Sequence, residues 1–446
     1  MNKLKAISYP ALIAFGYFIL IMFGTVFLLM PFASRDGVSA GFVDAFFTAT
    51  SASCVTGLVI ADTFAKWTLF GQIIILILIQ IGGLGFMTIV IMLSMFLGQK
   101  IGLTARSLMC ESINTMHLGG IVRLTKRIMK GTLIFEGAGA VILTLRFMSD
   151  MDFPNALFCG IWHSVSAFCN AGFDIMGRFG DNVSLAPYVG DITVNLTIMV
   201  LIVVGGLGFF VWDDLCEKKF RFKKYSLHTK IVLCMTAFLI FVPAVLFFFS
   251  ESGAAYEGLN GRERVLASFF SSVSPRTAGF STTDVAALSP VGELLTTVLM
   301  FIGGSPGSTA GGIKTTTIAV MIFSVISGAR NRSVTNIFGR RLENNDFRRA
   351  SSVIVINMTL ALLMGGIISA FEPMLELQEV LFETFSAIGT VGLTRGITHM
   401  LSPISRVLVA LLMYCGRVGS LSFAIIFTGS RARPSVVFPV ERVNIG

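Results

Sequence analysis

The sequence predicts an all-α polytopic membrane protein. It is read as four pseudo-repeats of helix, re-entrant pore helix with filter loop, and helix, with eight transmembrane helices around a central pore. Three observations carry that expectation. Of 446 residues, 54% are hydrophobic and only 13% charged, with a mean hydropathy of +0.81, far from a soluble average. Long apolar runs succeed one another at 11–31, 69–97, 193–211, 231–249, 294–302, 353–370 and 407–427, several exceeding the ~20 residues that cross a bilayer core. A small-residue, glycine-bearing motif, "SASCVTGL" at 51–58, returns as "SAFCNAGF" (166–173), "VSPRTAGF" (273–280) and "SAIGTVGL" (386–393).

The first apolar run comes after Lys3 and Lys5 and is about 20 residues long. That is longer than the ~7–15 residues of a signal-peptide core, so it reads as the first transmembrane helix. Orientation comes from charge. Six Lys or Arg fall in each of 98–130, 217–230 and 328–350, and three lie beyond residue 430. The positive-inside rule makes these segments and both termini cytoplasmic. The net charge of +9 is then mostly topology, and its short basic connectors do not form a nucleic-acid-binding face. Seven cysteines without a CxxC and four dispersed histidines give neither a disulfide framework nor a metal motif. An enzyme would need a converging acid–base or metal constellation, and the motifs supply none.

Gly57, Gly172, Gly279 and Gly392 recur at intervals of 115, 107 and 113 residues. Each stands five positions after a small residue (Ala52, Ala167, Ser274, Ala387) and precedes a bulky one (Leu58, Phe173, Phe280, Leu393). Matched small-xxx-small packing would explain one copy better than four. The chain then divides into repeat 1 at 1–98, a connector with repeat 2 at 99–216 and repeat 3 at 217–327. A connector with repeat 4 occupies 328–430, and a cytoplasmic tail 431–446. Before the first glycine, 42–53 would make a helix of ~18 Å, reaching halfway through the ~30 Å core. Backbone that leaves a helix at that depth must line protein or an aqueous path. Four helix carbonyl ends would converge there, continued by strands whose carbonyls replace the hydration of a cation. All four repeats run the same way, which favours a pore over an alternating-access secondary cation transporter.

Within 303–317, "GGSPGSTAGGIKTTT", Ile313 stands between Gly312 and Lys314, so the spacing fails as a phosphate loop. Pro306 and five glycines instead predict a broken helix, a polar loop at membrane depth. Arg417 in the last span is expected to face the cytoplasmic vestibule and to stabilise that loop or oppose cations. Arg276 is expected behind the third filter loop, with Glu383 as a partner for such an arginine. "GGLGF", at 82–86 and 205–209, is read as helix packing, with Phe86 or Phe209 as candidates for narrowing the inner pore. No role emerges for Glu111, Glu136 or Asp213.

Together "TATSASCVTGLVIADT", "IQIGGLGFMT", "AFCNAGF", "VGGLGFF", "YSLHTK", "SPRTAGF", "GGSPGSTAGGIKTTT", "FETFSAIGTVGLT" and "GRVGSLSF" resemble the Trk, Ktr and HKT superfamily of potassium transporters. The likeness is closest to the Ktr-type bacterial membrane subunit, since Trk-type subunits usually carry two further N-terminal helices. The resemblance implies a filter of Cys54, Val55, Thr56 and Gly57; Cys169, Asn170, Ala171 and Gly172; Thr277, Ala278 and Gly279; and Thr390, Val391 and Gly392. It implies an intramembrane gate of Gly303, Gly304, Ser305, Pro306, Gly307, Ser308, Thr309, Ala310, Gly311 and Gly312, with Lys314 and Arg417. Gly57 stands where sodium-favouring members often carry Ser, so potassium is the implied ion, held in the filter, with sodium as the other candidate. Cys54 departs from the Thr of many relatives, which bears on affinity at an outer site. A homodimer in the lipid of the cell membrane, seated on a cytosolic nucleotide-binding ring, is also implied. Nucleotide is then expected only on that separate regulatory subunit.

Overall fold

The computed structural model describes residues 9–86, 88, 89, 92, 121–180, 183–219, 221–332 and 334–419. The chain begins with α1 (Tyr9–Leu28), α2 (Phe42–Cys54) and α3 (Leu69–Leu84). Next come α4 (Ile121–Phe147), α5 (Phe153–Phe168), α6 (Ile192–Leu207) and α7 (Phe209–Lys218). They lead to α8 (Leu227–Ser250), α9 (Gly261–Val273), α10 (Pro290–Phe301) and α11 (Thr315–Ala329). The last helices are α12 (Asn344–Phe371), α13 (Leu377–Gly389) and α14 (Pro403–Val418). Among the described residues, strand is confined to one hairpin, β1 (Asn336–Ile337) with β2 (Arg340–Arg341).

α1, α4, α8 and α12 are 20, 27, 24 and 28 residues long and apolar enough to cross a membrane. They leave Phe15, Phe23, Leu133, Phe241 and Leu363 exposed, an outer surface suited to lipid and costly in water. α4 is absent from the apolar runs of the sequence because Arg123, Lys126, Arg127 and Lys130 charge its first turns and Glu136 its middle.

α3, α6, α10 and α14 begin alike. Thr68, Asp191, Ser289 and Ser402 precede them, and each side chain accepts the N–H three residues on, satisfying one of the free donors of the first turn. Three of them also stop alike. α3, α6 and α14 end at Gly85, Gly208 and Gly419, with φ of 85°, 95° and 93°, a region only glycine enters cheaply. The expectation of continuous spans over 69–97, 193–211 and 407–427 is corrected accordingly. At Gly208 the chain turns by 93° into α7. Residues 93–120 and 420–446 lie outside the described residues. α10 ends at Phe301, and the chain stays non-helical until Thr315.

The packing order is cyclic. α3 lies against α5, α6 against α9, α10 against α13, and α14 returns to α2. The closing seam is fastened by Arg406 to Asp44 at 2.7 Å and by the Tyr414 hydroxyl, which donates to Ala14 O at 2.7 Å. Inside the ring the short helices carry the large buried side chains Phe47, Trp162, Phe168, Phe270 and Phe382.

Candidate ion pathway

α2, α5, α9 and α13 all run into the glycine motifs. Just beyond each helix stands a residue in the left-handed region: Val55 (φ 57°), Asn170 (57°), Thr277 (69°) and Thr390 (52°). For β-branched Val and Thr this costs about 1–3 kcal/mol, so the surroundings must enforce it. Serine carbonyls in the last turns do so. Ser51 O and Ser166 O accept the N–H of Thr56 and Ala171 at 2.8 Å, and Ser274 O and Ser386 O those of Ala278 and Val391 at 2.9 Å. The Ser51 and Ser386 hydroxyls accept from Gly57 N and Gly392 N, both at 3.1 Å. Ser166 donates to Phe173 O at 2.7 Å and Ser274 to Phe280 O. Ser51, Ser166 and Ser386 escaped sequence reasoning, although each stands six residues before a motif glycine, and Ser274 was noted only as the small residue five before Gly279.

With their N–H groups turned back to the helices, Thr56, Ala171, Ala278 and Val391 direct their carbonyls to the neighbouring motif. A methyl group on Gly57 would meet Ala171 O at 2.5 Å, and one on Gly172 would meet Ala278 O at 2.8 Å. On Gly279 it would strike Val391 O, and on Gly392 it would strike Thr56 O. The four glycines and four carbonyls thus close a ring in the order 57, 172, 279, 392. Among the described residues, no hydrogen bond ends on these four carbonyl oxygens. All four glycines line one cavity of about 480 Å³, termed outer because the residues that follow the motifs line it.

The remaining site candidates fall on both sides of this ring. Cys54 is the last residue of α2 and Cys169 caps α5. Neither lines the outer cavity. The Cys169 thiol turns instead toward Gln80 and Glu136, at 3.7 and 3.8 Å. The Asn170 amide hydrogen-bonds the Thr277 hydroxyl at 3.2 Å, joining adjacent motifs. Arg276 is buried. The expected pairing of Glu383 with an arginine is corrected: its carboxylate accepts from the Thr398 hydroxyl. Glu136 and Asp213 acquire partners as well, Gln80 at 3.1 Å and Arg127. Glu111 lies outside the described residues.

The loop between α10 and α11 sits under the helix ends, opposite the outer cavity. It is stitched to the break between α6 and α7. Ser305 N donates to Gly206 O at 2.9 Å, Thr309 N to Gly205 O at 3.3 Å, and Phe209 N to Gly307 O at 2.7 Å. The Thr309 hydroxyl donates to Phe168 O, at the carbonyl end of α5, at 3.0 Å. Lys314 Nζ folds back onto Ala310 O at 2.7 Å and Gly311 O at 3.1 Å. Arg417 donates to Gly83 O at 3.2 Å and to Gly82 O, binding the loop's far side to α3. The inner cavity, about 140 Å³, is lined by Gly85, Phe209, Ser308, Lys314 and Arg417. Phe209 therefore lines it, whereas Phe86 packs against Gly16 of α1. "GGLG" serves two ends, since Gly82 and Gly205 rest directly on Ser53 O and Phe168 O before the helices turn.

A family profile described as TrkH, cation transport protein, matches residues 5–432. The chain is 38% identical to the potassium/sodium uptake protein NtpJ of Enterococcus hirae, over 99% of this chain and 98% of that one. It is 39% identical to the Ktr system potassium uptake protein B of Bacillus subtilis, over 98% and 96% of the respective chains. Among solved structures, the potassium transporter TrkH from Vibrio parahaemolyticus has the same fold. Its TM-score is 0.74 at 18% identity, covering 96% of this chain and 86% of that one.

Proposed function

This chain belongs to the TrkH cation transport family, and on that premise we propose that it is the potassium-translocating membrane subunit of a potassium uptake system. The observation that carries the proposal is the closed ring of Thr56, Ala171, Ala278 and Val391 carbonyls, to which no described hydrogen bond is donated. Fixed carbonyl dipoles of this kind replace the hydration shell of a monovalent cation without the trapping that a carboxylate would add. Potassium is the proposed cargo, and sodium, named beside it for the Enterococcus relative, is the other candidate.

In this reading α2, α5, α9 and α13 are pore helices, each turning the negative end of its dipole toward the path. Val55–Gly57, Asn170–Gly172, Thr277–Gly279 and Thr390–Gly392 form the filter, with Cys54 and Cys169 as its helix-side boundary. α1, α4, α8 and α12, together with the helices that return beside each pore helix, make up eight transmembrane segments. The loop at 303–314 is the gate, held by Lys314 and Arg417. Both termini and the basic connectors face the cytoplasm, where a nucleotide-binding ring acts on a homodimer of this subunit. The Ktr-system name of the Bacillus relative supports a multi-component assembly.

The test is growth of bacteria that lack their own potassium uptake systems. Expression of the chain with its partner subunit restores growth at low external potassium. Unchanged growth, with the protein present in the membrane, contradicts the proposal.

A further inference from the structure

The outer cavity is lined asymmetrically. Asp62, Asp174 and Asp284 reach it from the first three motifs, whereas the fourth contributes Arg395, three residues beyond Gly392. A guanidinium at the mouth of a cation path raises the potential that every arriving cation must climb. Arg395 Nη1, however, lies 3.0 Å from Glu293 Oε2 on α10. Glu293 is buried, and Gln378 at the start of α13 also donates to it. Cation and counter-charge thus come from different helix groups, 102 residues apart.

We propose that Glu293 sets the ease of cation arrival by neutralising Arg395, so that the three aspartates of the mouth act on an arriving cation with no opposing charge beside them. Glu293 does not line the cavity and acts through Arg395, which makes it a positioning residue. The inference rests on the chain being a potassium pathway. The pair also ties α10 to the segment after the fourth motif, so its test must separate charge from architecture.

Rubidium uptake is measured with the full chain and its partner subunit in neutral-lipid liposomes at low ionic strength. Glu293→Gln is expected to raise the half-saturating concentration about three- to tenfold, with a smaller change in maximal rate. Added choline chloride shrinks the effect by screening. Glu293→Gln combined with Arg395→Gln returns the value toward that of the parent. An unchanged half-saturation in the single variant overturns the proposal, as does a double variant equally impaired and indifferent to salt. Should Glu293→Gln fail to accumulate, Arg395→Gln alone decides. It removes the cation while Gln378 still holds Glu293, so half-saturation falls, and a rise or no change overturns the proposal. Absent uptake by the parent overturns both readings, whereas normal parent uptake with an unaltered Glu293→Gln affinity overturns this one alone.

Discussion

Arg417 Nη1 donates to Thr309 O at 2.5 Å, across 108 residues of chain. The same guanidinium reaches Gly82 O and Gly83 O on α3. Carbonyl oxygens that could hold a passing cation are thereby occupied by a tethered one. At membrane depth an unsatisfied arginine costs at least ~2.5–3.5 kcal/mol, so carbonyls and guanidinium hold each other in place.

Arg417→Gln is therefore expected to loosen the loop. A hydrogen bond to a charged group contributes about 1.5–3 kcal/mol, so flux should rise on the order of tenfold. The ratio of potassium to sodium uptake should stay fixed, because the glycine ring is untouched. Flux at or below that of the parent, at equal membrane abundance, would mean the loop does not obstruct the path.

Gly57→Ser probes the ring itself. The new Cβ would lie 2.5 Å from Ala171 O, in backbone at a φ of 94°, so that carbonyl must move. Potassium-over-sodium discrimination is expected to fall about tenfold. Equal relative uptake of the two ions in parent and variant removes Gly57 from the filter.

The sequence reading of 42–53 as a helix ending before the glycine matches α2, Phe42–Cys54. It was legible because the whole segment is bounded by Gly41 and by the motif. The broken helix at 303–317 was legible from Pro306 and its glycines, although Thr315–Thr317 already belong to α11. The breaks at Gly85, Gly208 and Gly419 were not. A glycine inside an apolar run reads as packing, and the turn depends on contacts that only the folded ring provides, such as Gly208 beside the Pro306 carbonyl. The partners of Glu136 and Glu383 were hidden for a related reason. Gln80 lies 56 residues from Glu136, and the hydroxyl of Thr398 carried no signal that marked it as a carboxylate's partner.

Asp214 lies on α7, beyond the 93° bend at Gly208 and four residues before Lys218, at the basic end of that helix. It accepts from Ser226 N at 2.9 Å, at the start of α8, and pairs with Lys218 at 2.5 Å. Burial alone would raise its carboxyl, but bonds from Lys218, Thr229 and Ser226 outweigh it and bring the group down to about 2. A depressed carboxylate stabilises the fold above its unfolded value, near 4, and loses that contribution as pH falls through about 2. Asp214→Asn is expected to lower the melting temperature in detergent by about 2–4 °C at pH 7. The gap from the parent should close between about pH 4 and 2. A gap that is constant with pH would assign the loss to packing.

Arg340 and Arg341 form the exposed strand β2. A nucleotide-binding ring with acidic edges would find them on the proposed cytoplasmic face, with docking that weakens as salt rises. Replacing both by Glu is expected to weaken ring binding at least about tenfold and to abolish nucleotide control, with the ion preference kept. Full nucleotide-dependent gating by the purified chain without a partner contradicts this.

Four carbonyls, from Thr56, Ala171, Ala278 and Val391, are expected to select the ion. Ion competition in liposomes holding the purified chain, with radioactive rubidium as tracer, tests this most directly. Potassium is expected to block rubidium uptake at concentrations at least about tenfold below those needed of sodium, with lithium weaker still. Equal inhibition by potassium, sodium and lithium would contradict a carbonyl filter in this ring.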